Sequence, residues 1–402
     1  MCAGLQEIKA DHGDGAMRRL IFFVLLASTA LTAGAAKRGT VAQLDQALTA
    51  AYAEHKADAD IARQIGNMEL SERLTEPALI RLSAHVAAGS KAALALELLA
   101  DQSAFLDPPA SDLPAAAAPD GATQQRMLAA AQHYGAQTLP RLPNFLATRT
   151  INRYDDSAQE LKKGGWPVRA GLHLVDTSSR EISVRDEREN QPPTQGSAVW
   201  QQQIGLISGG EFGTTLGMIL ADTAHGRVAW SHWEQTAQGP AAVFQYWVPN
   251  SASHFELIST LQREAAIEGF ASPGGGRGIA SIGVRPNNAP SRTSILRIRP
   301  AYHGSIWLDP DTGTVLRITM EAELKDSDPF RKAAILVEYG SVQIGNGRFI
   351  CPVRSLALSD AAANTQDITE DVPTRWLNET LFSGYHRFAS TTRVLTDAAN
   401  PQ

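Results

Sequence analysis

Residues 230–234 form the densest cluster of aromatic and polar side chains in the sequence. On a strand, side chains two positions apart point to the same face, so His232 and Glu234 are predicted to lie side by side. A histidine beside a carboxylate can ligate a metal ion, but two ligands are too few, and only distant His303 or His386 could add another. We therefore expect a surface strand with stacked aromatic rings here and no metal site.

Other catalytic patterns are incomplete in this chain. The glycines near Ser208 are wrongly placed for a G-x-S-x-G nucleophile elbow, and the glycines at 274–276 lack the Lys and Ser or Thr of a phosphate-binding loop. Carboxylate pairs such as Glu321 with Glu323 are typical of solvated strand faces and need a cleft before they act as acid and base. The sequence thus predicts no catalytic residue and no cofactor.

Length and composition are those of a globular protein. The chain has 402 residues, of which 43% are hydrophobic and 19% charged, enough for roughly two or three domains. The formal net charge is -6, with no excess of Lys and Arg. A protein that binds nucleic acid is expected to carry a basic excess, so the sequence disfavours that class.

The N-terminal region has the pattern of a secretory signal peptide. Two arginines follow Met17, residues 20–31 are apolar, and Ala33 and Ala35 form an A-x-A cleavage site. The apolar run is shorter than the roughly 20 residues that span a bilayer, so we expect cleavage near Ala35 and no stable transmembrane anchor. Residues 1–16 are unlike the start of such a peptide. We predict that translation begins at Met17 and that the mature protein is periplasmic or secreted.

The chain has only two cysteines, Cys2 and Cys351. Since Cys2 precedes the signal peptide, the mature protein would keep Cys351 alone and could form no internal disulfide. No cysteine follows the apolar run, so no lipid-attachment site is predicted. A buried structural thiol is the expected role of Cys351.

The first part of the mature chain is predicted to be a helical module of four short helices. Thr40 and Gln43 form a capping box, and Thr75 and Ser90 are placed to begin two of the other helices. The Pro- and Ala-rich stretch that follows has no periodicity and is predicted to be a mobile linker. The predicted divisions are a non-native start with the signal peptide, the helical module, the linker, a sheet domain with covering helices and a tail: 1–36, 37–106, 107–122, 123–396 and 397–402.

Residues 302–324 have the pattern of a long β-hairpin. Pro310 and Gly313 supply turn chemistry between two extended runs. After the turn, apolar and polar residues alternate, which predicts one buried and one solvated face. Trp307 falls on the polar side, where its ring is expected to lie over the outer sheet face. The apolar side is expected to carry Leu316, Ile318, Met320, Ala322 and Leu324.

Further strand patterns fill the second half of the chain. An Asn-Gly pair at 346–347 predicts a second hairpin, Pro352 indicates an edge strand or a bulge, and residues 176–179 are expected to form another turn. Residues 210–226 have helical periodicity and need an apolar surface, which a curled sheet would supply. The predicted fold class is α+β, a short-helix module followed by a large curved, half-barrel-like antiparallel sheet covered by helices.

Two resemblances extend these predictions. Most of the mature chain resembles a family of exported bacterial proteins of unknown function, in the segments at 62–74, 103–109, 142–157, 221–234, 302–318, 335–340, 350–358 and 384–395. This likeness implies export and supplies no catalytic residues. The pattern W-x-D-P-x-T-G-x-x-L-R at 307–317 is similar to the periplasmic lipoprotein-carrier superfamily. That second likeness implies a half-barrel closed by helices over a hydrophobic cleft.

Three functions stay open on this basis. The first is a non-enzymatic exported protein that binds a lipid or other apolar ligand against the helix within 210–226. The second is an envelope assembly or interaction protein whose helical module binds a partner protein. The third is a hydrolase with an unrecognised site, which a cleft with Ser or carboxylate beside His would favour. For the first, alternation selects lining residues that would equally suit a plain core: Tyr246, Ile306, Leu308, Leu316, Ile318 and Met320.

Overall fold

The structure is a computed structural model that describes residues 37–137, 141–156, 171–185, 188–190, 206–263, 292–328, 330–361 and 375–387. The signal peptide, the start at Met17 and the tail at 397–402 lie outside the described residues and stay predictions. Among the described helices, none combines the length and the apolar character needed to cross a bilayer.

The helical module follows the sequence prediction closely. Its elements are β1 (Lys37–Gly39), α1 (Val41–Ala53), α2 (Asp58–Gly66), β2 (Met68–Leu70), α3 (Glu76–Ser83) and α4 (Lys91–Ser103). The Thr40 hydroxyl accepts from the Gln43 N–H at 3.2 Å, and the Gln43 side-chain oxygen accepts from the Thr40 N–H at 3.0 Å. Thr75 and Ser90 cap α3 and α4 through their side chains. All three predicted helix starts are confirmed.

The apolar sides of these four helices form a core within the module. Because the apolar residues recur at helical spacing, each helix buries one stripe against the others. Its large side chains that are exposed by 3% or less include Leu44, Leu48, Ile61, Ile65, Leu82 and Leu96.

The rest of the chain is mainly β-structure. Its strands are β3 (Phe145–Asp155), β4 (His173–Arg185), β5 (Arg188–Asn190), β6 (Arg227–Thr236), β7 (Gly239–Val248), β8 (Leu257–Arg263), β9 (Arg292–Ile298), β10 (Tyr302–Leu308), β11 (Val315–Ala322), β12 (Phe330–Ile344), β13 (Gly347–Ala361) and β14 (Arg375–Arg387). Strands β8 and β9 pair with each other. The other ten form one antiparallel sheet in the order β5-β4-β3-β14-β13-β12-β11-β10-β7-β6. Within the described residues the edges β5 and β6 do not pair, so the sheet is open.

Turn and bulge positions explain the course of the long central strands. Strands β12 and β13 meet at the predicted Asn-Gly pair, where Gly345 adopts φ +61°. Their register shifts by one residue after Glu338, which makes Val353 the extra residue of a β-bulge next to Pro352. Pro352 therefore marks a bulge and not an edge, because β13 lies between β12 and β14.

The turn expected at 176–179 is wrong, because these residues continue β4 along β3. Polar side chains meet across the two strands. The hydroxyls of Thr150 and Ser179 lie 3.0 Å apart, and the Thr177 hydroxyl donates to Asn152 Oδ1 at 3.0 Å. Local composition favoured a turn, but cross-strand hydrogen bonds stabilise these polar residues in an exposed strand.

The inner face of the sheet is the side that packs under α5 (Gly121–Gln137) and α6 (Thr214–Asp222). Helix α6 lies within the helix predicted at 210–226. Its Leu216 and Ile219 are fully buried against the strands, and Met127 and Ala131 of α5 join the same cluster. A sheet with one apolar face needs such a cover, so these two helices complete its core.

The outer face is the opposite side of the sheet, and the helical module covers part of it. Leu98 and Ala104 of the module pack against Leu336 of β12. Ile335 and Val337, its neighbours in sequence, point to the inner face. Residues 333–337 of strand β12 are therefore buried on both sides. The fold is α+β, a large curved antiparallel sheet covered by helices, as predicted.

The stretch predicted to be a mobile linker, residues 107–122, makes contacts with both parts of the protein. The Thr75 hydroxyl of α3 donates to Asp112 at 2.5 Å. Further along, the Trp233 indole N–H of β6 donates to the Ala117 carbonyl at 2.9 Å. These hydrogen bonds hold the stretch against the module and the sheet.

Candidate functional site

The inner face contains five of the six residues that alternation selected as lining residues. They are exposed by 0–3% and lie beneath α5 and α6: Tyr246, Ile306, Leu308, Ile318 and Met320. Leu216 and Ile219 of α6 occupy the space over them. The inner face is thus filled by the protein's own side chains, and a lipid would have to displace α6 to reach it.

Leu316 lies elsewhere, although alternation placed it with Ile318. Trp307 pairs with Arg317, but Leu308 pairs with Val315, so β11 has one residue more than β10 at this point. This bulge turns Leu316 into a small outer-face cluster with Trp307. The prediction that Leu316 shares the inner face is wrong for that reason.

The cluster at 230–234 contains an ordered chain of hydrogen-bonding groups. Ser231 Oγ lies 2.8 Å from His232 Nδ1, and His232 Nε2 lies 3.2 Å from Glu234 Oε2. With the proton on Nε2, the ring donates to Glu234 and accepts from the Ser231 hydroxyl. The predicted pairing of His232 with Glu234 is confirmed, and a serine is added to it by a register shift in β6.

Glu234 is an anchor between the module and the sheet. Its Oε2 accepts from Arg73 of the module at 2.5 Å and from the Trp307 indole at 2.9 Å. Burial acts to raise the pKa of Glu234, but hydrogen bonds from His232, Arg73 and Trp307, together with the charge of Arg73, outweigh burial and lower this pKa to about 2. Glu234 is therefore a carboxylate across the physiological range and a poor proton acceptor.

Trp307 lies on the outer face, as expected, but it is only 4% exposed. The guanidinium carbons of Arg73 and Arg317 lie 5.3 Å and 4.9 Å from the centre of its ring. Arg73 belongs to the helical module, so docking of the module turns a surface ring into a buried cation–π contact. The sequence could not show this, because the two residues are far apart in the chain.

A second ion pair fixes the module over the middle of the sheet. Asp101 of α4 accepts two hydrogen bonds from Arg354 at 2.7 Å each, and Arg354 Nε also donates to Glu379 at 2.8 Å. Burial opposes the charge on Arg354, but the carboxylate of Asp101 outweighs it and raises the pKa of Arg354. Both hydrogen bonds to Asp101 come from one guanidinium nitrogen while Nε donates to Glu379, so Arg354 joins a carboxylate of the module to one of the sheet.

No metal site forms among the described residues. His232 and Glu234 gain no third ligand there, because the two candidate histidines, His303 and His386, have other contacts. His303 Nδ1 lies 2.7 Å from Glu323, and His386 Nδ1 lies 2.7 Å from the Gly384 carbonyl.

The outer cleft is a cavity of about 420 Å³ beside the module. One wall is a row of side chains across β6, β7, β10 and β11. Cross-strand pairing places Arg227 opposite Trp247, Trp247 opposite His303, and His303 opposite Glu321. The facing wall is the end of the module and the first linker residue, Asp107, to which the Gln245 side chain donates at 3.2 Å.

The floor of the outer cleft is made of small residues: Ala229, Gly304, Ser305 and Thr319. A Cβ on Gly304 would lie 1.9 Å from the Thr319 carbonyl oxygen and 2.8 Å from the Tyr246 hydroxyl. Tyr246 crosses this position and donates to the Thr319 carbonyl at 2.7 Å. Only glycine leaves room for that contact. Tyr246 is also the one predicted lining residue that borders this cleft.

Trp247 is the notable side chain of the outer cleft. It is 40% exposed and, among the described residues, it is the one aromatic side chain in the group of large exposed hydrophobics. His303 and Glu321 beside it belong to the polar side of the predicted hairpin. Sequence analysis did not find the cleft, because alternation marks such residues only as solvent-facing.

Comparison of the chain with models of protein families, with curated proteins and with solved structures finds no match.

Proposed function

We propose that this protein is an exported, non-enzymatic binding protein whose ligand occupies the outer cleft. One observation carries the proposal: an exposed tryptophan and several polar side chains converge on a cavity of about 420 Å³. Small-molecule sites typically have volumes of about 300–1,000 Å³ and combine an apolar surface with a few placed polar groups. Export rests on the predicted signal peptide.

The outer cleft is a better candidate than the inner face for a ligand site. A ligand at the inner face must first remove Leu216 and Ile219 from a packed core, which costs about 1.5–3 kcal/mol for each side chain. A ligand in the outer cleft displaces only solvent. The lipid-binding hypothesis of the sequence therefore requires movement of α6, and the outer cleft requires none.

Native mass spectrometry tests the proposal with two variants. Ala229→Trp fills the outer cleft from its exposed floor, whereas Met320→Ala enlarges the inner-face core. Each protein is incubated with a protein-free extract of bacterial envelopes that contains lipids, saccharides and peptides. We expect a bound mass on the wild type and on Met320→Ala that is absent from Ala229→Trp.

If the bound mass persists in Ala229→Trp and increases in Met320→Ala, the ligand site lies at the inner face. Absence of any adduct on the wild type would argue against a binding protein altogether. Thermal unfolding of both variants checks that each is folded before the comparison is made.

One observation favours a hydrolase as a second candidate. The Ser231–His232–Glu234 group has the hydrogen-bond order of a nucleophile, a base and an acid, although these residues do not line the outer cleft. The outer cleft itself has Ser305 and Glu321 beside His303, which is the arrangement that the sequence analysis named as favouring a hydrolase. Hydrolysis of p-nitrophenyl butyrate by the wild type would support a hydrolase: loss in Ser231→Ala alone would assign the activity to the Ser231–His232–Glu234 group, and loss in Ser305→Ala alone would assign it to the cleft. Equal background rates in all three proteins would mean that the Ser231–His232–Glu234 hydrogen bonds are only a structural feature of β6.

The partner-protein hypothesis can use only the part of the helical module that does not contact the sheet. Asp101 and Leu98 of the module are used on the sheet, while Ile80 and Leu94 stay 65% and 44% exposed. Deleting the module would also remove contacts that cover the sheet. A pull-down that compares the wild type with Ile80→Glu is therefore the cleaner test of this hypothesis.

A further inference from the structure

The aromatic surface of the outer cleft indicates one part of its ligand. Trp247 lies in the row between Arg227 and His303, and no ring–ring contact among the described residues involves it. An exposed indole is a rigid apolar plane with large contact area. A ligand with a flat apolar side of comparable size would cover it and remove that area from water.

The polar groups of the cleft indicate the other part. Gln245, Ser305 and His303 can both donate and accept hydrogen bonds, and Asp107 and Glu321 only accept. Gln245 already donates to Asp107, and His303 Nδ1 lies against Glu323, so a ligand in the cleft would use the remaining donors and acceptors of these side chains. It therefore needs several groups around its edge that both donate and accept. Hydroxyl groups have this property.

The charges of the cleft disfavour other ligand classes. Arg227 lines the cleft together with the carboxylates of Asp107 and Glu321. Lys332 already pairs with Glu321 at 3.4 Å. A phosphate or sulfate would meet these carboxylates, and sites for such anions are built from several cations. An acyl chain would leave the polar groups desolvated without partners, which costs free energy.

Resting on the proposed function, we propose that the outer cleft binds a neutral saccharide, one ring of which lies against the Trp247 indole while its hydroxyls bond to Gln245, His303 and Asp107. The C–H side of a pyranose is apolar and its rim carries hydroxyls. The small residues of the floor leave space for one or two rings. Specificity within the class comes from the polar wall.

Saturation-transfer NMR with cellobiose, maltose and diacetylchitobiose tests this inference on the full chain. We expect at least one of these sugars to bind, with the strongest transfer to its ring C–H protons. Trp247→Ala should weaken binding at least about tenfold, while Trp247→Phe, which keeps a ring, should lose less. Leu381→Ala is the control, because Leu381 is 37% exposed on β14 and remote in the sheet order from the cleft.

Two further ligands separate this inference from the proposed function. Phosphatidylglycerol vesicles and a neutral tetrapeptide are tested with the wild type and with Ala229→Trp. Binding of either one, blocked by Ala229→Trp, with no sugar bound, overturns the saccharide inference and keeps the cleft as a ligand site. If no ligand of any class responds to Ala229→Trp, both proposals fail. Sugar binding that is equal in Trp247→Ala and the wild type also overturns the inference.

Discussion

The inner and outer faces of the main sheet are stabilised by different interactions. The inner face buries the larger apolar clusters, with side chains such as Phe244 beneath two helices, together with the ion pair of Arg149 with Glu211. The outer face shares a smaller apolar cluster with the module and is also bound to it by charged contacts, chiefly Arg73 with Glu234 and Asp101 with Arg354. Apolar burial is non-directional and supplies most of the stability. Buried ion pairs require defined partners, so the outer face sets where the module lies and which part of the sheet stays open.

The largest difference in unfolding free energy should appear between substitutions of two adjacent residues whose side chains lie on opposite faces of the sheet. Phe244 is fully buried on the inner face, and Gln245 is exposed in the outer cleft. Phe244→Ala should lower the free energy of unfolding by about 3–5 kcal/mol because it leaves a cavity. Gln245→Ala should change it by less than ~1 kcal/mol. Urea denaturation measures both, and similar losses would contradict the assignment of faces.

The anchor on the outer face should show coupling between its partners. Arg73→Leu or Glu234→Leu alone should cost about 3–5 kcal/mol, because each leaves a buried charge without its partner. The double variant should cost clearly less than the sum of the two. Denaturation of all four proteins completes the cycle. Additive losses would mean that Arg73 and Glu234 do not stabilise each other.

The same anchor should make stability depend on acid pH. The pKa of Glu234 falls from 4.5 to about 2 on folding, so its stabilising contribution is complete above pH 4.5 and is lost as the pH falls toward 2. The loss should total roughly 3 kcal/mol. Unfolding free energies measured across this range should show a shallower decline in Glu234→Gln than in the wild type. Parallel curves for the two proteins would contradict the lowered pKa.

The smallest expected changes in stability come from alanine substitutions at two glycines, one at the cleft floor and one in α6. Gly304→Ala would place a methyl group against the Thr319 carbonyl, and we expect a loss of about 1–3 kcal/mol. Gly217 lies within α6 with open space around it, so Gly217→Ala should stabilise the protein by about 0.5–1 kcal/mol. Thermal unfolding distinguishes the two signs. A neutral Gly304→Ala would show that the sheet adjusts at the cleft floor.

Sequence patterns predicted the inner face better than the outer one. Alternation identified Ile318 and Met320, and the helix within 210–226, because apolar periodicity reports burial directly. Arg73, Glu234 and Asp101 look like solvent-facing residues in the sequence, yet they are buried where the module meets the sheet. Charged residues carry no periodic mark that separates a buried partner from a surface one.

The remaining errors have local or long-range causes. A single extra residue in β11 moved Leu316 to the other face, and one-residue bulges are invisible to a period-two pattern. The outer cleft joins Asp107 to Gln245, which are 138 positions apart. Such a site exists only once the module has docked, so local patterns could not predict it.

The reactivity of the buried Cys351 thiol can be used to measure opening of the sheet. Its side chain is fully buried in an apolar cluster on β13, a central strand of the sheet, and burial raises the pKa of the thiol to about 12. With Cys2 replaced by serine, Cys351 would be the sole thiol of the chain. A thiol reagent would then react only when the middle of the sheet opens. Its reaction rate would depend on opening at the centre and not on fraying at the edges.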